Sequence, residues 1–150
     1  MSKTTEMLKR LEGFERHAYM CTAGFLTIGV GRNISKTGLG LSNEEINYLL
    51  NNDIKRVKRE LKANFDWFVD LNEPRRTAMI SICFQLGLPA LLKFSKALQA
   101  MEEMDYEEAS FQFLESKWST QTPGRAMEMA KIIRDGKYDS GKLYPSFKKS

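Results

Sequence analysis

The stretch that decides the fold of the N-terminal part is Leu11–Arg32, which reads L-E-G-F-E-R-H-A-Y-M-C-T-A-G-F-L-T-I-G-V-G-R. A short amphipathic segment leads into it, and Thr4 or Thr5 is predicted to cap a helix there. Gly13 is placed to end that helix, because glycine accepts the backbone conformation that follows a last turn. Glu12 is therefore predicted to be the last helical residue.

After this helix the spacing of apolar residues changes to period two, from Ala18 to Val30, which predicts a β-hairpin. Thr22–Gly24 has the composition of its turn. One face is apolar and carries Leu26, Ile28 and Val30. The other face consists mostly of small residues: Thr27, Gly29 and Gly31. Such a face leaves room for a ligand to approach the backbone.

The rest of the chain is predicted to be helical. Ser42 and Glu45 have the spacing of a capping box, and apolar residues then keep helical spacing for about five turns. Pro74 and Gly87 bracket the next helix. Further helices are predicted to begin at Ser95, Asp105 and Thr122.

These elements predict a single α+β domain that is mainly α. A chain of 150 residues fits one domain. We expect a small lobe with a hairpin or small antiparallel sheet at about residues 13–60, including a long linking helix, and a larger helical lobe at about residues 61–150.

The composition is that of an ordinary globular protein, with 42% apolar and 28% charged residues. The formal net charge of +4 favours a polyanionic partner, which leaves nucleic acid, anionic lipid and anionic cell-wall polymers open. The N-terminus has no signal-peptide pattern, and no stretch approaches the ~18 apolar residues of a membrane span. We therefore expect a protein without a signal peptide and without membrane insertion.

Two cysteines, Cys21 and Cys83, are too few for a disulfide framework in a chain of this length. Free thiols in a reducing compartment are the expectation, although pairing of the two stays open. No His, Cys and acidic residues have metal-ligand spacing, and no glycine-rich loop has the phosphate-binding form. We expect no metal and no cofactor.

A carboxylate at the end of a helix faces the negative end of the helix dipole, and apolar neighbours would desolvate it, so both effects favour its protonated form. Glu12 therefore suits a general acid, which glycosidic bond cleavage requires. Cys21 and Thr27 are the candidates for the second group, and the Thr27 hydroxyl is suited to hold a water molecule. Taken singly, each of the three residues has an ordinary structural explanation.

Together, Glu12, Cys21 and Thr27 form a pattern. Glu-x8-Cys-x5-Thr followed by I-G-V-G resembles the catalytic signature of phage-type lysozymes (endolysins, muramidases) of the T-even phage class. The resemblance implies that Glu12 is the general acid and that Thr27 helps to position the catalytic water. It also implies that Cys21 stands where most members have Asp and some have Cys.

The resemblance covers about Met7 to Asp139. It implies a lysozyme-like fold in which residues 1–12 join the helical lobe and substrate is bound between the lobes. L-S-N-E-E-I is similar to the start of the interlobe helix, R-R-T-A-M-I-S-I-C-F-Q-L-G to the buried central helix, and S-K-W-S-T-Q-T-P-G-R-A to a late segment. Cys21 is the main departure, since an unperturbed thiol has a pKa of about 8.5 and is mostly protonated at neutral pH. A Cys21 thiolate has two roles open to it, as a base or as a nucleophile. Inversion and retention of configuration at the sugar carbon therefore both stay open.

The resemblance further implies substrate contacts elsewhere. Trp118 is expected to pack near Gln85, and Arg125 either to order Glu12 or to bind a carboxylate of the muropeptide. For Phe84 and Trp118 the alternative is a place in the helix core. The implied substrate-binding residues are Asn33, Phe84, Gln85, Ala97, Gln112 and Arg125. Asn33 and Ala97 differ from the family's usual residues.

The function that this resemblance implies is hydrolysis of the β-1,4 bond between N-acetylmuramic acid and N-acetylglucosamine in bacterial peptidoglycan, for lysis of a phage host. We expect a monomer that accumulates in the host cytoplasm until a holin-like pore releases it to the wall in the periplasm. Nucleic acid is not an expected partner.

Three alternatives belong to other classes. A lytic transglycosylase acts on the same bond with one Glu, and a catalytically silent module would bind the wall without cleaving it. A basic helical nucleic-acid binder would show salt-sensitive DNA binding but leaves the Glu, Cys and Thr pattern unexplained.

Overall fold

The structure is a computed structural model that describes residues 2–139. The chain divides into two compact units, with the boundary between Leu50 and Asn51. The first unit contains a helix, a small sheet and the start of a long helix, and the second contains the remaining helices. The predicted lobe boundaries, including the assignment of residues 1–12 to the helical lobe, stay a prediction.

Helix α1 spans Lys3–Glu12 and ends where the sequence predicts. Gly13 follows it with φ of 89°, and its N–H donates to the Lys9 carbonyl over 3.0 Å. The predicted start is wrong, because the cap is Ser2 and not Thr4 or Thr5. The Ser2 hydroxyl accepts the Thr5 N–H at 3.1 Å, since Ser2 is extended and Thr5 already lies within the helix.

A three-stranded antiparallel sheet follows within the described residues, in the order β1-β2-β3. Tyr19 pairs with Thr27, and Thr27 pairs in turn with Asn33, so Thr27 lies on the central strand. The hairpin prediction is confirmed, but the third strand was not predicted because two residues are too short for a period-two pattern. The strands are β1 (Glu15–Met20), β2 (Leu26–Gly29) and β3 (Arg32–Asn33).

The glycines of I-G-V-G form the turn between β2 and β3. Gly29 and Gly31 have φ values of 70° and 66°, which L-residues with side chains rarely adopt. Burial along β2 and the turn after it does not follow hydropathy. Thr27 is 4% exposed, whereas the apolar residues Leu26 and Val30 are 40% and 36% exposed. Thr27, on the central strand, is thus the buried residue of this sheet.

Helix α2 spans Asn43–Asn64 and begins at the predicted capping box. The Ser42 N–H donates to Glu45 Oε1 at 2.8 Å, and the Glu45 N–H donates to Ser42 Oγ at 3.1 Å. Arg32 Nη1 adds two bonds of 2.8 Å, to Glu45 Oε1 and to the Gly40 carbonyl. These bonds fix the start of α2 to strand β3 and the loop that follows it.

The second unit is helical, and its predicted helix starts near Pro74, Ser95, Asp105 and Thr122 are confirmed. Asp105 caps its helix by accepting the Glu108 N–H at 3.1 Å. The elements after a 3₁₀ helix at Asp66–Asp70 are α3 (Glu73–Leu86), α4 (Leu88–Leu91), α5 (Ser95–Glu102), α6 (Tyr106–Leu114), α7 (Lys117–Gln121) and α8 (Pro123–Asp135).

The apolar core lies in this second unit, where α8 packs against α3, α6 and α7. Phe94, Phe113 and Trp118 form an aromatic cluster with ring centroids 5.5–6.4 Å apart. No helix among residues 2–139 is long and apolar enough to cross a membrane. The predicted fold class, α+β and mainly α, is confirmed.

Candidate active site

Glu12 lies at the C-terminal end of α1, beside the turn between β2 and β3. A Cβ atom placed on Gly31 would lie 3.0 Å from Glu12 Oε2 and 3.3 Å from Glu12 Cβ. The Glu12 side chain therefore fills the space beside Gly31. The face of small residues had predicted room for a ligand there. Glu12 is exposed, so the predicted desolvation of this side chain is wrong; its place at the helix end is as expected.

Cys21 lies at the start of the hairpin turn and is partly buried. The Gly24 N–H donates to the Cys21 carbonyl at 2.8 Å, and the Cys21 N–H donates to the Phe25 carbonyl at 3.0 Å. The turn also directs donors at the sulfur. Hydrogen bonds from the backbone of Phe25 and then of Ala23 lower the pKa of the Cys21 thiol below its ordinary value, and partial burial opposes them.

Thr27 connects to Cys21 through its hydroxyl. This hydroxyl is among the groups that lower the pKa of the Cys21 thiol, as a hydrogen-bond donor to its sulfur. It also lies 2.8 Å from the Phe25 carbonyl, to which it donates. Because a hydroxyl carries one proton, Thr27 donates either to that carbonyl or to a thiolate. Cys21 and Thr27 are thus brought together as a pair.

This turn favours a negative charge at position 21. Backbone N–H groups that converge on one side-chain atom stabilise an anion, as they do when Asp or Asn accepts bonds from the residues that follow it. A thiol with such donors ionises more readily than a free thiol. Cys21 therefore occupies a site that suits a carboxylate, and its thiolate meets the same donors.

The remaining predicted site residue of the first unit is Asn33, on β3. Its Oδ1 accepts the Ser35 N–H at 2.9 Å and the Ser35 hydroxyl at 2.6 Å. The Asn33 carbonyl accepts the Gly40 N–H at 3.0 Å. The Asn33 side-chain oxygen therefore orders the following loop, and contact with substrate stays a prediction for this residue.

Three further predicted site residues lie within or beside the helix packing of the second unit: Phe84, Gln85 and Arg125. Trp118 Nε1 donates to Gln85 Oε1 at 3.0 Å, which confirms the predicted contact, and Gln85 Nε2 donates to Thr122 Oγ1 at 3.3 Å. Arg125 Nη2 donates to the carbonyl and the hydroxyl of Ser81, both at 3.0 Å. Phe84 is 43% exposed, so the alternative that it belongs to the helix core is wrong.

Ala97 and Gln112 line a common cavity of about 540 Å³ together with Trp118. Ala97 is 2% exposed, and Gln112 Nε2 donates to Glu108 Oε2 at 2.6 Å. Of the predicted substrate-binding residues, these two are the ones that share a cavity with each other. Their contact with substrate stays a prediction.

Residues 9–134 match the family model for phage lysozyme. The chain belongs to the phage lysozyme family. The match spans most of the 150 residues and contains the whole Glu12, Cys21 and Thr27 pattern. The prediction of a phage-type lysozyme, and with it the glycoside hydrolase class, is confirmed at the level of the family.

Relatives of this phage lysozyme carry related names. The endolysin of Acyrthosiphon pisum secondary endosymbiont phage 1 is 32% identical over 75% of each chain. Probable T4-type lysozyme 1 of Dictyostelium discoideum is 26% identical over 91% of this chain and 96% of its own. The pre-baseplate central spike protein Gp5 of Enterobacteria phage T4 is 29% identical over 90% of this chain, which spans 28% of the spike protein's length.

Two structural partners of the site were missed by the sequence analysis of this phage lysozyme. Gly31 was assigned to a strand face, although its contact with Glu12 makes it a positioning residue. Arg32 was not singled out, although it joins the sheet to Glu45 on α2. The turn at Gly31 could have been predicted from I-G-V-G-R, because two closely spaced glycines are typical of a turn.

Among residues 2–139, no group of three His, Cys, Asp or Glu side chains is arranged to hold a metal ion. The described site contains a carboxyl group, a thiol with a lowered pKa and a hydroxyl. These are the groups required for acid-assisted cleavage with an anionic partner.

Proposed function

We propose that this phage lysozyme hydrolyses the β-1,4 bond between N-acetylmuramic acid and N-acetylglucosamine in bacterial peptidoglycan. The observation that carries the proposal is the Cys21 turn, whose donors, Thr27 among them, lower the pKa of the thiol and so favour an anion there. Glu12 belongs to the same compact unit and is held beside Gly31. Names among the relatives, endolysin and T4-type lysozyme, agree with this activity.

In the proposed reaction Glu12 donates its proton to the glycosidic oxygen as the bond to the sugar carbon C1 breaks. The developing positive charge on the sugar is balanced by the Cys21 thiolate. A water molecule held by Thr27 attacks C1, and its proton passes to the thiolate. Product release, loss of the proton from Cys21 and uptake of a proton by Glu12 restore the site.

Direct attack of sulfur on C1 is the competing route, with a retained product after hydrolysis of the carbon–sulfur bond. The lowered pKa of Cys21 supports both routes, because it raises the thiolate fraction while it weakens the thiolate as a base and as a nucleophile alike. The sugar anomer released first distinguishes the two routes.

The biological role we propose is lysis of a phage host. The enzyme would act as a monomer, remain in the host cytoplasm until a holin-like pore releases it, and then reach the wall in the periplasm. The positive net charge of +4 supports attraction to an anionic wall.

Mass spectrometry of muropeptides from purified sacculi tests the activity. The proposal predicts products with reducing N-acetylmuramic acid ends. A lytic transglycosylase would instead give products one water lighter, and a silent wall-binding module would pellet with sacculi and release nothing. Either of these two results would overturn the proposed hydrolysis.

Two substitutions test the anion at position 21. Cys21→Asp is expected to retain lysis, because the turn donors can donate hydrogen bonds to a carboxylate as they do to a thiolate. Cys21→Ser is expected to lose most activity, since a hydroxyl stays neutral at the same pH. Equal clearing rates for Cys21→Ser and the unsubstituted enzyme would show that no charge is needed there.

A further inference from the structure

Another cavity of the second unit, of about 570 Å³, is lined by residues at the 3₁₀ helix and on α5, and part of its wall is aromatic. Phe65 is buried and stacks on Trp67, with ring centroids 4.9 Å apart and ring planes inclined by 24°. Trp67 also packs against the apolar core. Leu92 and Leu98 complete the apolar part of the lining. The cavity thus has a wall whose rings are held in place by packing.

The charged part of the same lining is negative. It consists of Asp66, Glu102 and Glu103, and no Lys or Arg belongs to the described lining. Glu103 Oε2 accepts a hydrogen bond from Gln99 Nε2 at 3.4 Å. The carboxylates of Asp66 and Glu102 form neither an ion pair nor a hydrogen bond within residues 2–139. Three carboxylates beside an apolar wall give a local negative potential, which is complementary to a cation.

Two of these carboxylates are unfavourable for the helix that carries them. Glu102 is the last residue of α5 and Glu103 follows it, at the end where the helix dipole favours a positive charge. The acidic residues at the start of α6 differ, because Asp105 caps that helix and Glu107 and Glu108 lie in its first turn. Helix stability therefore explains the α6 carboxylates but not those at the end of α5. A cation bound in the cavity would offset their repulsion by the dipole.

The lining fits an organic cation better than a metal ion. Within residues 2–139, no group of three His, Cys, Asp or Glu side chains is arranged to hold a metal. A Lys or Arg side chain, in contrast, lays its aliphatic stem on apolar surface and keeps its charged head near anions. The face of a Trp ring also attracts a cation. Trp67 and the carboxylates together offer both kinds of contact.

We propose that this cavity docks a basic peptide segment of a partner protein, with a Lys or Arg stem against Trp67 and its charge facing Asp66, Glu102 and Glu103. The inference is independent of the proposed hydrolysis, because it uses no residue of the Glu12 and Cys21 site.

The extent of the negative surface favours a peptide segment over a small free amine. The carboxylates of the cavity come from two separate elements, the 3₁₀ helix and the end of α5. Asp105, Glu107 and Glu108 continue the negative charge along the chain into α6, where they line a further cavity with Phe111. A segment with two or more basic residues can contact several of these carboxylates, whereas a single amine cannot.

The test is a titration with the pentapeptide Ala-Lys-Ala-Lys-Ala, blocked at both ends, and with the same peptide acetylated at both lysine Nζ atoms. The indole N–H resonance of Trp67 reports on the cavity, and Trp118, which lines the cavity of about 540 Å³, is the internal control. We expect the basic peptide to shift the Trp67 resonance, to leave that of Trp118 in place and to bind more tightly than the acetylated peptide. Its affinity should fall as salt is added, because exposed charges are screened.

Carboxylate variants measure the charge contribution. Each of Asp66→Asn, Glu102→Gln and Glu103→Gln is expected to weaken binding of the basic peptide about 1.4- to 5-fold, the range for exposed ion pairs. The acetylated peptide should bind all variants alike. Glu115→Gln is the matched control, since Glu115 is exposed and lies outside both acidic cavities, and it should change nothing.

Equal affinity for the basic and acetylated peptides, or a shift of Trp118 equal to that of Trp67, would overturn the proposal. Butylammonium or Ca²⁺ binding as tightly as the basic peptide would assign the cavity to a small cation and would also overturn it. Glu12→Gln should bind the peptide normally. Failure of this test is therefore distinct from failure of the proposed hydrolysis.

Discussion

The two cysteines have opposite environments. Hydrogen bonds from the Phe25 and Ala23 backbone lower the pKa of Cys21. Burial raises the pKa of Cys83, and the charge of Glu60 adds to the increase. At a given pH the thiolate fraction is consequently larger at Cys21, which is also the more accessible of the two sulfurs.

Alkylation of the folded protein over a pH series measures this difference. We predict that iodoacetamide modifies Cys21 first and at a pH below the ordinary thiol value of about 8.5, while Cys83 stays largely unmodified. Peptide mass spectrometry assigns the sites. Thr27→Val, which removes one hydrogen bond to the sulfur, should move the Cys21 profile to higher pH. A Cys21 profile at or above that of a free thiol would contradict the assignment.

Gly31 is predicted to position Glu12. Gly31→Ala should cost about 1–2 kcal/mol for a side chain at φ of 66° and should also displace the Glu12 carboxylate, 3.0 Å from the new Cβ. Gly40→Ala is the matched control, because Gly40 has φ of 65° and nothing within 4 Å. Urea unfolding should show similar losses, but only Gly31→Ala should slow peptidoglycan clearing. Equal clearing rates for Gly31→Ala and Gly40→Ala would show that Gly31 does not position Glu12.

Single residues were predictable where chemistry depends on residue type and spacing. Glu12 at a helix end and Thr27 on a strand followed from the local pattern. The contact of Gly31 with Glu12 did not, because it depends on how the chain returns to the helix end. The donors around Cys21 did not either, because residue spacing does not fix the conformation of a turn. The exposure of Glu12 likewise depends on tertiary packing.

At the scale of elements, the junction between β3 and α2 is held by one ion pair. Arg32 Nη1 lies 2.8 Å from Glu45 Oε1, and the same carboxylate accepts the Ser42 N–H. The Arg32 bond first, and then the Ser42 bond, lower the pKa of Glu45 from 4.5 to about 2. The ionised carboxylate is therefore the form that the fold stabilises.

This shift predicts acid sensitivity. Because the Glu45 pKa is lower in the folded than in the unfolded chain, its stabilisation is complete above about pH 4.5 and is lost as the pH falls toward about 2. Glu45→Gln should remove this component of the pH dependence in thermal unfolding. Glu44→Gln, whose carboxylate forms no ion pair within residues 2–139, should keep it. Parallel curves for Glu45→Gln and the unsubstituted protein would contradict the prediction.

Helix ends were the most predictable elements. Gly13, Gly87 and Gly136 end helices, and Asp105 begins one, as their local chemistry requires. Strand β3 and the 3₁₀ helix were missed, because each is too short to show a hydrophobic period.

At the scale of the whole molecule, apolar burial is concentrated in one of the two units. The described buried apolar residues run from Val57 to Ile133, whereas in the sheet the buried residue is Thr27. The long α2 stripe illustrates the difference, since Val57 is fully buried while Leu49 remains 48% exposed. Helical spacing predicted both positions alike, because periodicity identifies a face but not what covers it.

Substitutions should follow this distribution. Ile82→Ala, in the fully buried core, is expected to lower the free energy of unfolding by about 2–5 kcal/mol. Leu26→Ala, at a position that is 40% exposed, should cost less than about 1 kcal/mol. Urea denaturation of the two variants checks the ratio, and a larger loss for Leu26→Ala would contradict the location of the core.

The central claim is that Glu12 supplies the proton for glycosidic cleavage. Its most direct test measures how fast two variants, Glu12→Gln and Glu15→Gln, initially clear purified peptidoglycan. Glu15→Gln is the control, because Glu15 is a second exposed carboxylate, three positions away at the start of β1. The account predicts a loss of about 10²–10⁴-fold for Glu12→Gln, with an unchanged fold by circular dichroism, and a normal rate for Glu15→Gln. A normal rate for Glu12→Gln would contradict it.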